Sequence, residues 1–129
     1  MAYRFAVRPT TPAADIERAR AFYNEKLGLE PEIKTAAGEY LYHCKDSWFT
    51  LYPSQYAGTA QSTAAEFEID DIELTMREMR SKGIVFEEYD LPGFKTIDGI
   101  VKIGPDKAAW FKDSEENILA LSQMGNPPR

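Results

Sequence analysis

Residues 64–88 read AAEFEIDDIELTMREMRSKGIVFEE. Phe67 and Ile69 alternate with Ala64, Glu66 and Glu68, the period of two expected of a half-buried strand. Asp70, with Glu73 three residues later, forms a capping box that opens a helix. Ile72, Met76 and Met79 then recur at helical spacing as one apolar stripe. Gly83 supplies a left-handed helix end, and Ile84-Val85-Phe86 begins another strand. The unit is strand, helix, glycine, strand.

The same order of signals stands near the N-terminus. Tyr3, Phe5 and Val7 alternate with Ala2, Arg4 and Ala6, which predicts a strand over residues 2–8. A turn-like RPTTPA leads into Asp15-Ile16-Glu17, the match of Asp71-Ile72-Glu73. Ile16, Ala19, Tyr23 and Leu27 form the helical stripe, and Gly28 matches Gly83. Lys45-Asp46-Ser47 recurs as Lys112-Asp113-Ser114, and Ser54-Gln55 as Ser122-Gln123. Such a repeat predicts two similar supersecondary units with site residues between them. Glu30–Thr35, Tyr40–Lys45 and Trp48–Pro53 read as strands, with Asp46-Ser47 as a hairpin turn. Leu91–Gly99 reads as a loop with Phe94 at its tip, and Ile100–Ile103, Ala108–Lys112 and Ile118–Gln123 as strands. The expected fold is α+β: two tandem βαβββ modules, 1–54 and 63–124, joined by a polar linker near 55–62 and curving around a cleft.

The length of 129 residues suits one domain with a real core. A formal net charge of −6 argues against nucleic acid or an anionic membrane as the main partner. The single cysteine, Cys44, excludes an internal disulfide and a Cys-rich zinc site. No signal peptide is visible and no apolar run approaches membrane-spanning length, so a cytoplasmic protein is expected.

The stretches DIERARAFYNEKLGL, FEIDDIE and AAWFKDSEENILALSQ resemble the vicinal oxygen chelate superfamily, which includes glyoxalase I, bleomycin-resistance proteins, fosfomycin-resistance enzymes and extradiol dioxygenases. The resemblance implies one glyoxalase/bleomycin-resistance-like domain across the chain, and a dimer. It also implies a divalent metal held in the cleft by His, Gln or Glu from the first and last strand of each module. Carried over residue by residue, the four ligand positions fall on Ala2, Tyr52, Ala64 and Ala120. None of these ligates as a carboxylate or imidazole does, so no metal and no other cofactor is expected.

Alternation from those positions gives the rest of the inward face. Arg4 and Glu66 are expected opposite each other across the cleft. Trp48 and Thr50 share a face with Tyr52; His43 is placed opposite Thr50, and Phe111 opposite Ile118. Arg4, His43, Trp48, Thr50, Tyr52, Glu66, Phe94, Phe111 and Ile118 thus form an expected ligand cleft that is mostly aromatic and aliphatic. Cys44 alternates with His43 and belongs under the helix, and Glu115 and Glu116 read as a solvated turn. The function expected is metal-free binding of a small organic molecule, planar or cationic, by a homodimer. The alternatives are a glyoxalase-like lyase, isomerase or dioxygenase with a displaced metal site built on Glu66 and His43, and a regulatory module with a vestigial cleft.

Overall fold

The computed structural model describes residues 4–128. Among them the chain runs β1 (Thr10–Ala13), α1 (Ile16–Leu27), β2 (Ile33–Lys34), β3 (Tyr40–Cys44), β4 (Ser47–Pro53), β5 (Thr63–Glu68), α2 (Ile72–Ser81), β6 (Asp90–Leu91), β7 (Phe94–Lys95), β8 (Val101–Ile103), β9 (Asp106–Lys112) and β10 (Ile118–Gln123). Two four-stranded mixed sheets result, ordered β1-β4-β3-β2 and β5-β10-β9-β8, and β6-β7 adds a small hairpin to the second module. The tandem α+β modules expected from the repeat are present, but Ile84-Val85-Phe86 forms no strand, only an isolated bridge from Phe86 to Phe111, and the stretch read as a loop over Leu91–Gly99 holds part of the β6–β7 hairpin. No helix among the described residues is long and apolar enough to cross a membrane.

Each helix starts where an aspartate side chain takes a free backbone N–H. Asp15 accepts from the Arg18 amide at 3.0 Å, and Asp71 from the Leu74 amide at 3.1 Å. The second cap is therefore Asp71, one residue beyond the Asp70 of the expected capping box. Gly28 closes α1 in the left-handed conformation at φ +69°.

The first strand is not where the alternation of residues 2–8 placed it. The described part of that segment, residues 4–8, is exposed and forms no strand. The strand beside β4 is the Thr10–Ala13 stretch, which had read as a turn because of its proline. In β1 only the β4 side is hydrogen-bonded, so Pro12 costs no ladder bond on the other. In the second module, β5 likewise runs parallel to β10 and stops just before its helix cap.

One core serves both modules. Ala19 and Tyr23 of α1, Ile72, Met76 and Met79 of α2, and alternate residues of both sheets (Tyr40, Tyr42, Phe49, Leu51, Ala65, Phe111, Leu119, Leu121) are all buried in it. The two sheets meet through Phe49 and Phe67, edge to face at 5.7 Å. Side chains of this size contribute about 1.5–3 kcal/mol each when fully buried. Since the helix-facing side of each sheet feeds this core, the alternate residues present the opposite faces outward.

Candidate functional site

Strand register fixes what each open face carries. In the first sheet, Thr10 pairs with Thr50 and Thr50 with Leu41, while Trp48 pairs with His43. The β3–β4 turn is Lys45-Asp46, with Lys45 at φ +48°, one residue earlier than Asp46-Ser47. His43 therefore stands beside Trp48, not Thr50. The two rings stack at 4.5 Å with 12° between planes, and His43 Nδ1 lies 3.7 Å from the Glu32 carboxylate. Trp48 and Tyr52 are half-buried, and Thr50 is buried between them.

In the second sheet, Glu66 pairs with Ala120 and Ala120 with Trp110. Phe111 pairs with Leu119 on the core side and is fully buried, edge to face with Phe86 at 5.8 Å. This corrects its expected place in the cleft. The cause is the turn, five residues from Asp113 to Asn117, in which Asp113 Oδ1 accepts from the Glu115 and Asn117 amides. A one-residue change in register exchanges the two faces, so Trp110 occupies the open face that Phe111 was expected to fill. Trp110 packs against Tyr89 at 5.7 Å and Phe94 at 5.4 Å. Phe94 follows the Pro92-Gly93 turn of the β6–β7 hairpin and is half-buried in this cluster. Trp110 and Tyr89 were not picked out from sequence. The parity of Trp110 with Ala120 becomes legible once the Asp113–Asn117 turn is counted at its full length.

Two further corrections concern polar groups. Arg4 is exposed and lies upstream of β1, and no ion pair joins it to Glu66. Counting back equally from the caps Asp15 and Asp71, it is Thr10 that corresponds to Glu66. Glu115 is no solvated turn residue. Its side chain is 0% exposed and takes Arg18 Nε at 2.8 Å, Arg18 Nη2 at 2.9 Å and the Asp15 amide at 2.9 Å. Burial works to raise its pKa, but the hydrogen bonds from Arg18, Asp15 and Ser114, with the charge of Arg18, bring it down to about 2. Beside it, Tyr23 Oη donates to Asp113 Oδ2 at 2.6 Å, and Asn117 Nδ2 donates to the Pro12 carbonyl at 2.7 Å. The Asp113–Asn117 turn thus bolts the second module to the first.

Small cavities flank Glu66. One of about 190 Å³ runs along Pro9, Trp48 and Ala65; the other, about 180 Å³, runs along Val101, Ala108 and Ser122. The Glu66 carboxylate is exposed and forms a wall of both.

The donor set does not fit the divalent metal that the family resemblance implies. Ala2 lies outside the described residues. The same count from the caps matches Ala64 with Arg8, and the paired registers match Ala120 with Thr50, in place of Tyr52. Ala64 is itself displaced: Ile118 pairs with Thr63 and Leu119 with Ala65, which leaves Ala64 as the extra residue of a bulge. Arginine, threonine and two alanines offer no carboxylate or imidazole. Among the described residues, no three of His, Cys, Asp and Glu converge elsewhere as a metal site. Cys44 is half-buried, and burial pushes its thiol up.

No family model and no curated protein matches this chain. Solved structures do. A putative glyoxalase family protein from Bacillus anthracis superposes with a TM-score of 0.70 at 17% identity, covering 93% of this chain and 96% of that one. UcmS2 gives 0.69 at 19%, covering 92% and 98%. TnmS3, an antibiotic binding protein from Streptomyces sp. CB03234, gives 0.67 at 17%, covering 94% and 98%. The genomically encoded fosfomycin resistance protein FosX from Listeria monocytogenes gives 0.66 at 13%, covering 92% of each chain. The chain carries the vicinal oxygen chelate fold, as its repeated units and its sequence resemblance imply.

Proposed function

We propose that this protein binds a small organic molecule without a metal, on the open faces of its two sheets, and acts as a cytoplasmic dimer. One observation carries the reading: the strand positions that would hold a metal offer no carboxylate or imidazole, while the same faces carry aromatic rings, Trp48 beside Glu66 and Trp110 across Ala120 from it. The first sheet contributes the stacked His43–Trp48 pair and Tyr52, and the second the Tyr89–Phe94–Trp110 cluster. Aromatic walls with one charged group are the usual anatomy of a ligand site. Each ring contact adds about 0.5–1.5 kcal/mol beyond its buried area, and a cationic ligand beside the Glu66 carboxylate or over the rings gains further. Ala120 and Ile118 give the face a small apolar floor, with the buried Thr50 as a polar point in the first sheet. The likeness in fold to an antibiotic binding protein supports the reading.

The test is thermal unfolding of untagged, chelator-dialysed protein against a panel of planar and cationic organic molecules, with and without divalent metals. At a hundredfold excess over Kd a bound ligand adds about 2.7 kcal/mol, a shift of several degrees. At least one organic compound should give such a shift irrespective of metal. Stabilisation only in the presence of metal, or about one bound metal per chain by elemental analysis, overturns the reading.

A further inference from the structure

A cavity of about 610 Å³ lies on the helix side of the second sheet, away from the open faces. Arg77 and Arg80 of α2, Lys95 of β7 and Lys102 of β8 all line it. Four of the fifteen lysines and arginines of an acidic chain thus converge on one hollow. Arg77 and Arg80 are one helical turn apart and share a face. Lys102 pairs with Lys107 on the helix side of the sheet. Among the described residues, Arg77, Lys95 and Lys102 enter no ion pair.

The cavity's two carboxylates do not cancel these charges. Glu73 is taken by Lys107 at 2.8 Å, a cation from outside the cavity lining. That leaves Asp98 against four cations. Arg80 is also held in place: its Nη2 donates to the Asp98 carbonyl at 2.8 Å, and its guanidinium lies 5.2 Å from the Phe86 ring. The wall opposite α2 is a tight turn, with Ile97 and Ile100 exchanging backbone bonds at 2.8 and 3.1 Å across Asp98 and Gly99. One wall and one of the four cations are thus fixed by hydrogen bonds, while Arg77, Lys95 and Lys102 stand exposed around them. The cavity's remaining lining is apolar: Ile100 half-buried and Ile97 at the rim with 70% exposure, with Met76 fully buried beneath them. A free inorganic ion would leave Ile97 and Ile100 uncovered, and a neutral apolar molecule would leave the cations unpaired.

We infer that this cavity is a second ligand site, for a small organic anion (a carboxylate, sulfonate or phosphate ester) attached to an apolar body. The guanidinium of Arg77, with the ammonium groups of Lys95 and Lys102, pairs with the anion. Ile97 and Ile100 cover the apolar body. This site is separate from the aromatic faces and does not depend on the function proposed for them.

Amide NMR titrations of the whole protein with 1-naphthyl phosphate, inorganic phosphate and neutral 1-naphthol test it. Saturable shifts are expected with 1-naphthyl phosphate at residues 77–80 and 95–102, with the other two probes weaker by roughly tenfold or more. The Arg77→Ala/Lys102→Ala double variant alters only exposed side chains and should weaken binding by roughly tenfold or more. Lys95→Gln should weaken it in the same direction, in an otherwise unchanged spectrum. The inference is overturned by shifts confined to the neighbourhood of Trp48, Glu66 and Trp110, by 1-naphthol binding as tightly as its phosphate ester, by absence of saturation, or by unchanged affinity in both variants.

Discussion

Glu115 shows how a side chain that reads as surface becomes structural. In isolation it is one of two adjacent carboxylates in a turn, and such residues are normally solvated. Here Arg18 grips it bidentately and the N-cap amide of α1 donates to it as well. Glu115→Gln keeps the shape but loses the charge, and should cost about 1–3 kcal/mol near neutral pH. The pH dependence has a definite sign. The folded carboxyl titrates at about 2, below its ordinary 4.5, so the unfolded chain takes the proton first as pH falls. The charge-dependent stability is fully present above about 4.5 and is lost as pH drops through about 2. Urea midpoints of the parent and Glu115→Gln should therefore converge over that window. A gap that stays constant down to the acid limit would show that the Arg18–Glu115 pair contributes nothing specific.

Among the elements, both helices and most strands were legible because their signals are redundant. An aspartate cap, an apolar stripe and a terminal glycine agree for α1 and for α2. Strands beside turns were legible as elements but not in register. The Lys45-Asp46 turn and the longer Asp113–Asn117 turn each differ from the simplest reading by a residue or more, and each slip moved an aromatic or His43 to a different neighbour. β1 was hidden for another reason. Thr10–Ala13 contains a proline and little alternation, whereas Phe5 and Val7 alternate well yet are 73% and 88% exposed. What places β1 is its parallel pairing with β4 and its distance from the cap, a non-local constraint that local pattern does not carry. The Asp98-Gly99 turn, in contrast, was legible as a turn and has a measurable requirement. Gly99 sits at φ +82°, and an added Cβ would lie 3.0 Å from Met76 Cε and Phe86 Cβ. Gly99→Ala should destabilise by about 1–3 kcal/mol; a thermal midpoint equal to the parent's would mean that the turn shifts freely.

For the whole molecule, helix sides turned inward to one core leave two sheet faces to be covered or occupied. Ile103 and Met124, at 59% and 36% exposure, extend the apolar surface of the second sheet. A second copy covering part of these faces is the arrangement expected, so light scattering at micromolar concentration should give about twice 14.6 kDa. A monomer mass there would rule the dimer out. The central claim is that these faces hold a small organic molecule without a metal, and the chain carries its own reporters for it. Its two tryptophans, Trp48 and Trp110, lie one on each open face. Tryptophan emission, titrated in chelator with the planar and cationic panel, should change saturably for at least one compound, and Glu66→Gln should weaken that response for a cationic one. Flat emission across the panel, with both tryptophans still reached by a soluble quencher, would contradict the claim.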